Sequence, residues 1–244
     1  MIIHDISRDT LTTPVYDGDP ATEVNYLQRL GDMDECNLSA VSMSTHAGTH
    51  IDAPLHFWDE GSPVDDIRLN TFYGKCTVVT VEGILTGDDL DRMLPYCRRR
   101  LLIRGHGNTF LSHSAAIVLA ESKVVLVGTD ADSIAPPFDE ARPHRELARA
   151  GIVVLENLDL EDIHDGEYDL CAFPVRLGGL EAAPCTRQTL PSRPRCKKCS
   201  RAYRGCRRGS DRSCRRRARA YTPFHRRFVL NIRSENNSTY RHPY

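Results

Sequence analysis

The chain has 244 residues, enough for one ample core or two small ones, and a formal net charge of -1. That near-neutrality hides an asymmetry: residues 1–190 carry 15 Lys+Arg against 31 Asp+Glu, and residues 191–244 carry 17 against 2. The sequence therefore predicts an acidic globular body, 1–190, and a basic tail, 191–244. No run approaches the roughly 18 apolar residues of a membrane span, which excludes a helical membrane protein.

The start, Met1-Ile2-Ile3-His4-Asp5, lacks the basic opening and apolar run of a signal peptide. Nine cysteines, an odd number scattered along the chain, do not form the pattern of a disulfide framework. A reduced, cytoplasmic compartment is the expectation.

In chain order, Ile2 to Ile6 reads as a short strand, and Pro14, Gly18 and Pro20 punctuate the loop that follows. Asn37 to Met43 is strand-like and leads into a histidine-rich segment. Thr77 to Val81 is β-branched and reads as a strand. Thr86 is placed to cap a short helix that Pro95 stops after Leu94. Arg100 to Arg104 is a strand, and Ser112 caps a helix to Glu121. Val124 to Gly128 is a buried strand ending in the polar turn 129–133. Pro143 to Ala150 suits a helix closed by Gly151, followed by the buried strand Ile152 to Leu155 and a last strand, Tyr168 to Phe173. This mixture predicts an α/β or α+β fold with one core.

The most informative segment is His46-Ala47-Gly48-Thr49-His50-Ile51-Asp52-Ala53-Pro54-Leu55-His56. Its histidines and aspartate all sit at even positions, a mixed N/O ligand set that suits zinc, manganese or iron. Gly48 and Pro54 argue against a helix. In a strand the even positions share a face, but each pair of residues advances roughly 6.6 Å. Metal ligands must converge to about 2 Å from one ion, so His46 joins His50 and Asp52 only if the chain bends at residues 47–49. Glycine permits that bend.

Other polar groups carry weaker signals. Glu156 sits where a buried strand emerges, as a metal ligand, general base or capping residue, and His144 lies near a helix start. Asp130 and Asp132 read as turn residues, and His106 and His113 as solvated loop histidines.

The histidine segment matches the H-x-G-T-H-x-D-x-P-x-H signature of a cyclase family that includes bacterial kynurenine formamidases (arylformamidases) and isatin hydrolases. The segments 14–19, 127–133 and 155–160 agree, so the resemblance runs to about Leu190. It implies a swivelling β/β/α fold, a homodimer, and a zinc-dependent amide hydrolase of tryptophan catabolism, converting N-formylkynurenine and water to kynurenine and formate. By the same resemblance, His46, His50 and Asp52 bind a first metal; Asp52 and Glu156 bridge to a second, which His144 also holds; and His56 is the proton donor and acceptor. Two zinc ions per subunit are implied, with manganese as the alternative. Tyr16 aligns with a substrate-contacting aromatic that is tryptophan in formamidases, and a smaller ring offers less stacking area. The alternatives are a single-metal hydrolase of a cyclic amide such as isatin, and an inactive metal-binding body whose tail binds nucleic acid.

The tail, with Arg207-Arg208, Arg215-Arg216-Arg217 and few aliphatics before Phe228, cannot bury enough surface to offset its ordering entropy. Disorder, nonspecific polyanion binding and a shifted reading frame near Cys185 are the expectations here. A single Cys196-x2-Cys199 pair is weak evidence for a zinc knuckle.

Overall fold

The computed structural model describes residues 2–185 and 189–192. The basic segment 193–244, with its expected disorder, cysteine pair and polyanion-binding tract, lies outside the described residues.

The fold is mixed α/β. In chain order its elements are β1 (Ile2–Asp5), β2 (Glu23–Gln28), β3 (Leu38–Ser42), β4 (His50–Asp52), β5 (Tyr73–Thr80), β6 (Gly83–Leu85), α1 (Gly87–Met93), β7 (Arg100–Arg104), β8 (Thr109–Leu111), α2 (His113–Ala120), β9 (Leu126–Thr129), α3 (Ala141–Arg149), β10 (Val153–Glu156), β11 (Gly166–Cys171), β12 (Ala182–Pro184) and β13 (Thr189–Ser192). Nine strands form one sheet in the order β1-β13-β11-β5-β7-β9-β10-β4-β12. Its centre, β5-β7-β9-β10, is parallel, and α1, α2 and α3 make the three crossovers that parallel pairing requires. The flanking pairs are antiparallel.

Strand alternation divides the core into two layers. Leu101 and Ile103 of β7, Val127 of β9 and Val154 of β10 pack with Leu90, Leu119 and Leu147 of the helices. Leu102, Leu126, Val153 and Leu155, from the same strands, face the opposite layer with Ile6, Ile51, Phe72 and Leu170. Because Ile51 points into that second layer, its neighbours His50 and Asp52 face the helix side.

The sheet cannot be flat. Pro184 ends β12 and Thr189 begins β13, so at most roughly 18 Å of chain joins them. Laid side by side, strands seven places apart would be separated by roughly 33 Å. The sheet therefore curls until its ends are neighbours. The bridges Ser7–Leu158 and Pro174–Cys185, and the bond from the Asp159 N–H to the Ile6 carbonyl (2.9 Å), accompany that curl.

Local signals explain most boundaries. Thr86 and Asp89 form a reciprocal capping box on α1, and the Ser112 hydroxyl accepts from the Ala115 N–H at the start of α2. Pro95 lies inside a 3-10 turn, Leu94–Tyr96, that continues α1, because a proline near the start of a turn loses no hydrogen bond. The helix expected from Pro143 begins at Ala141 for the same reason. The strand expected to be last is β11, and two more follow it. β13 also runs two residues past the expected boundary at 190, lying between β1 and β11. The strand expected at Asn37 to Met43 is β3; its hairpin partner β2 and the β6–β8 pair carry no strong periodicity and were not expected. Among the described residues the cysteines are free thiols, as the scattered spacing suggested.

Candidate metal centre

The site is built on the helix-facing side of β4 and β10. Register places Asp52 beside Val154 and His50 beside Glu156, and β12 flanks β4 with Ala182 opposite Asp52. His50 and Glu156 are therefore neighbours on one face by pairing alone. Helix α3, buried along Pro143, His144, Leu147 and Ala148, lays His144 over that face. His46 reaches the group because the chain turns at Gly48, whose φ is +63°. An added Cβ there would lie 2.7 Å from the Thr10 Cα, so the turn is both left-handed and closely packed.

Two triads result, His46–His50–Asp52 and Asp52–His144–Glu156, each with potential ligand atoms within 4.8 Å of one another and sharing Asp52. The His46 Nδ1 is 3.0 Å and the His50 Nε2 3.4 Å from Asp52 Oδ1, and the His50 Nε2 is 3.5 Å from Glu156 Oε2. His144 Nε2 lies 3.4 Å from Glu156 Oε1, which also accepts from the Ile134 N–H at 2.7 Å.

The polar atoms crowd together without satisfying one another. The His50 Nε2 and both Asp52 carboxylate oxygens are fully buried with no hydrogen-bond partner among the described residues. Buried polar atoms left this way are costly unless something else satisfies them. Ligand atoms aimed at a common centre, rather than along one another's hydrogen-bond directions, fit a divalent cation, and two imidazoles with carboxylates match zinc or manganese chemistry.

The electrostatics match that arrangement. Burial alone would lower the His50 pKa, but Asp52 and Glu156 together raise it to about 10. Burial likewise opposes the charge on His144, yet Glu156 and Asp52 lift it to about 8. Asp52 resists its own desolvation because His46 and His50 hold its carboxyl well below the usual range. His56 goes the other way, burial pushing its pKa below the ordinary value.

His56 stands at the mouth of the cluster on the 3-10 turn Pro54–His56, its ring centroid 4.4 Å from His46 and 6.3 Å from His144. Tyr16 stands at the rim, half-buried and near Glu140; burial and that carboxylate push its pKa up to about 12. All seven residues singled out in the sequence thus fall in one neighbourhood. Asp130 does not join them. Its buried carboxylate accepts from the N–H groups of Gly105, His106 and Gly107, so it clamps a distant loop rather than its own turn, the role expected from the sequence. His113 faces Glu146 across α2 and α3 at 3.3 Å, outside the cluster.

Sequence reasoning missed three neighbours. Phe57 stacks on His144 with centroids 4.4 Å apart, Thr49 ties β4 to the end of β10, and Glu181 faces His46. Thr49 and Phe57 lie within or beside the histidine segment but carry no recognisable spacing of their own, and Glu181 lies in no segment the sequence marked out.

Residues 2–136 match the family model described as Putative cyclase. The chain belongs to the cyclase family. Among cyclase-family relatives, the kynurenine formamidase of Paracidovorax citrulli is 33% identical over 190 residues, covering 70% of this chain and 88% of that protein. The kynurenine formamidase of Delftia acidovorans is 31% identical over 185 residues, with the same coverages of 70% and 88%. A solved structure of a potential metal-dependent hydrolase with cyclase activity superposes with a TM-score of 0.65 at 27% identity, covering 79% of this chain and 99% of that one. An isatin hydrolase bound to thioisatinate gives a TM-score of 0.66 at 16% identity, over 78% and 92% of the two chains, a likeness of fold alone.

Proposed function

We propose that this cyclase-family protein is a zinc-dependent arylformamidase that hydrolyses N-formylkynurenine to kynurenine and formate, the step that assigns it to tryptophan catabolism. The observation that carries the reading is the shared, buried Asp52 carboxylate, unsatisfied on both oxygens between two triads. His46, His50 and Asp52 would hold one ion, and Asp52, His144 and Glu156 a second. Bound divalent ions supply an acidified water and a polarised carbonyl.

The chain's own groups do the remaining work. His56, close to both triads yet outside them, takes a proton from water and returns it to the anilide nitrogen as the C–N bond breaks. Tyr16, beside Glu140 and close enough to Glu156 to sense its charge, would meet the aromatic ring of the substrate. Phe57 braces His144 from the far side of its ring. Residues 1–192 form the catalytic unit in this reading.

A homodimer is part of the same proposal. Exposed apolar side chains on the β2–β3 hairpin, Tyr26, Leu27, Leu38 and Val41, support it as surface that a second copy of the chain would cover. No helix among the described residues is long and apolar enough to cross a membrane.

The deciding experiment is turnover by zinc-reconstituted full-length protein of N-formylkynurenine against isatin, repeated with manganese. Formate release from the first substrate supports the proposal. Ring opening of isatin alone reassigns the site to cyclic amides, and no turnover of either with zinc bound removes the hydrolase reading for this chain.

A further inference from the structure

We propose that Glu181 is a positioning residue for His46, accepting a hydrogen bond from the protonated outer ring nitrogen so that the inner nitrogen is bare toward Asp52. The proposal rests on the metal-centre reading above and deepens it.

A neutral imidazole carries one proton on two nitrogens, and a ligating nitrogen must be the bare one. Whatever accepts the hydrogen bond of the other nitrogen therefore selects the tautomer. The three histidines of the triads share one layout. His50 turns Nε2 toward Asp52 and Glu156, and its Nδ1 lies 2.9 Å from the Gly48 carbonyl oxygen. His144 turns Nε2 toward Glu156, and its Nδ1 lies 2.9 Å from the Glu140 carbonyl oxygen. His46 is reversed: Nδ1 faces Asp52 at 3.0 Å, and Nε2 faces Glu181 Oε1 at 3.7 Å. In two cases the outer acceptor is main chain, which no substitution removes. For His46 the group facing the outer nitrogen is a side-chain carboxylate at 3.7 Å, an ion-pair distance that has to close by a few tenths of an ångström to become a hydrogen bond.

Glu181 is held for that task. The Thr45 hydroxyl donates to its Oε1 at 2.6 Å, and its own carbonyl accepts from the Ala53 N–H at 2.8 Å. It immediately precedes Ala182, which pairs with Asp52, so the strand that sets the carboxylate's place also flanks the ligand strand. Thr45 is the chain neighbour of His46, and one turn thus carries both the ligand and the hydroxyl that aims its partner. A carboxylate used only for solubility would extend into solvent; this one is about one-third exposed and bends back over an imidazole.

The test is zinc affinity by chelator competition for full-length wild type, Glu181→Ala and Glu181→Gln, alongside thermal unfolding of the metal-free forms and the His46 ring 15N shifts of the zinc-loaded forms. Loss of such an outer acceptor typically weakens metal binding about 10- to 100-fold. Glu181→Ala is expected to show that loss at one zinc equivalent with an unchanged metal-free midpoint, while Glu181→Gln, which keeps an acceptor oxygen, recovers part of it and retains the wild-type tautomer signature. Wild-type affinity and an unaltered tautomer in Glu181→Ala overturn the proposal while the metal centre stands. An equal fall in the metal-free midpoint assigns Glu181 to folding and also overturns it. Wild type that binds no zinc brings down the metal-centre reading, and this proposal with it.

Discussion

The Thr49 hydroxyl donates to the Asn157 carbonyl at 2.5 Å across the buried junction of two strands. Thr49 precedes His50, and Asn157 follows Glu156, so this bond joins the two chain segments that carry every triad member except His144. The same oxygen accepts from the Arg8 N–H at 2.8 Å. Asn157 is itself in the left-handed region, at φ +56°, which turns the chain sharply after Glu156. Thr49→Val keeps the shape and removes the bond. The expected cost is about 1–3 kcal/mol from stranding buried polar groups, read by urea denaturation, with weaker zinc retention under dialysis.

Gly48→Ala tests whether the turn at the centre of the histidine segment is obligatory. A Cβ meets main-chain atoms of Thr10, which cannot swing aside as a flexible side chain would. Together with the positive φ, the strain should cost at least about 1–3 kcal/mol. Displacement of His46 is expected to empty one triad before the other, visible as one lost zinc equivalent by atomic emission.

His56→Ala separates proton transfer from metal binding. Because His56 belongs to neither triad, metal content should equal that of wild type, while turnover of N-formylkynurenine falls about 10²-fold or more. Near-normal turnover would take His56 out of the chemistry.

The pH dependence of the metal-stripped protein follows from His144. Its pKa is raised above the unfolded value, burial being outweighed by Glu156 and Asp52, to about 8. A raised pKa adds stability that is complete below the unfolded value near 6.5 and is lost as pH climbs through about 8. The contribution is on the order of 2 kcal/mol. His50, raised to about 10 by Asp52 and Glu156, titrates over an overlapping range, so the unfolding midpoint of metal-free protein should drop from about pH 6.5 through about 10. A flat midpoint across that range would show that neither His50 nor His144 meets the carboxylates as the geometry places them.

Much of this was legible in the sequence because the informative signals were local. The parity of His46, His50 and Asp52, the strand end at Glu156 and the cap at Thr86 depend on residues a few positions apart. The bend at Gly48 followed from a conflict between strand rise and ligand distance, and the glycine resolved it. Glu181 was not legible: its relation to His46 spans most of the chain and exists only once β12 pairs with β4. Strand β2, the partner of the legible β3, escaped for a different reason, since the hairpin is largely exposed on both faces and no alternating pattern is demanded of it. The place of β13 was hidden because Thr189-Leu190-Pro191-Ser192 has neither strand composition nor periodicity.

That last segment fills its slot through the backbone, registering Ile2 with Ser192 and Cys171 with Thr189. Peptide groups read no side-chain alphabet, beyond the missing donor of a proline. The ladder between β1 and β11 thus asks of residues 189–192 chiefly a main chain in register, and is indifferent to which side chains that stretch happens to carry.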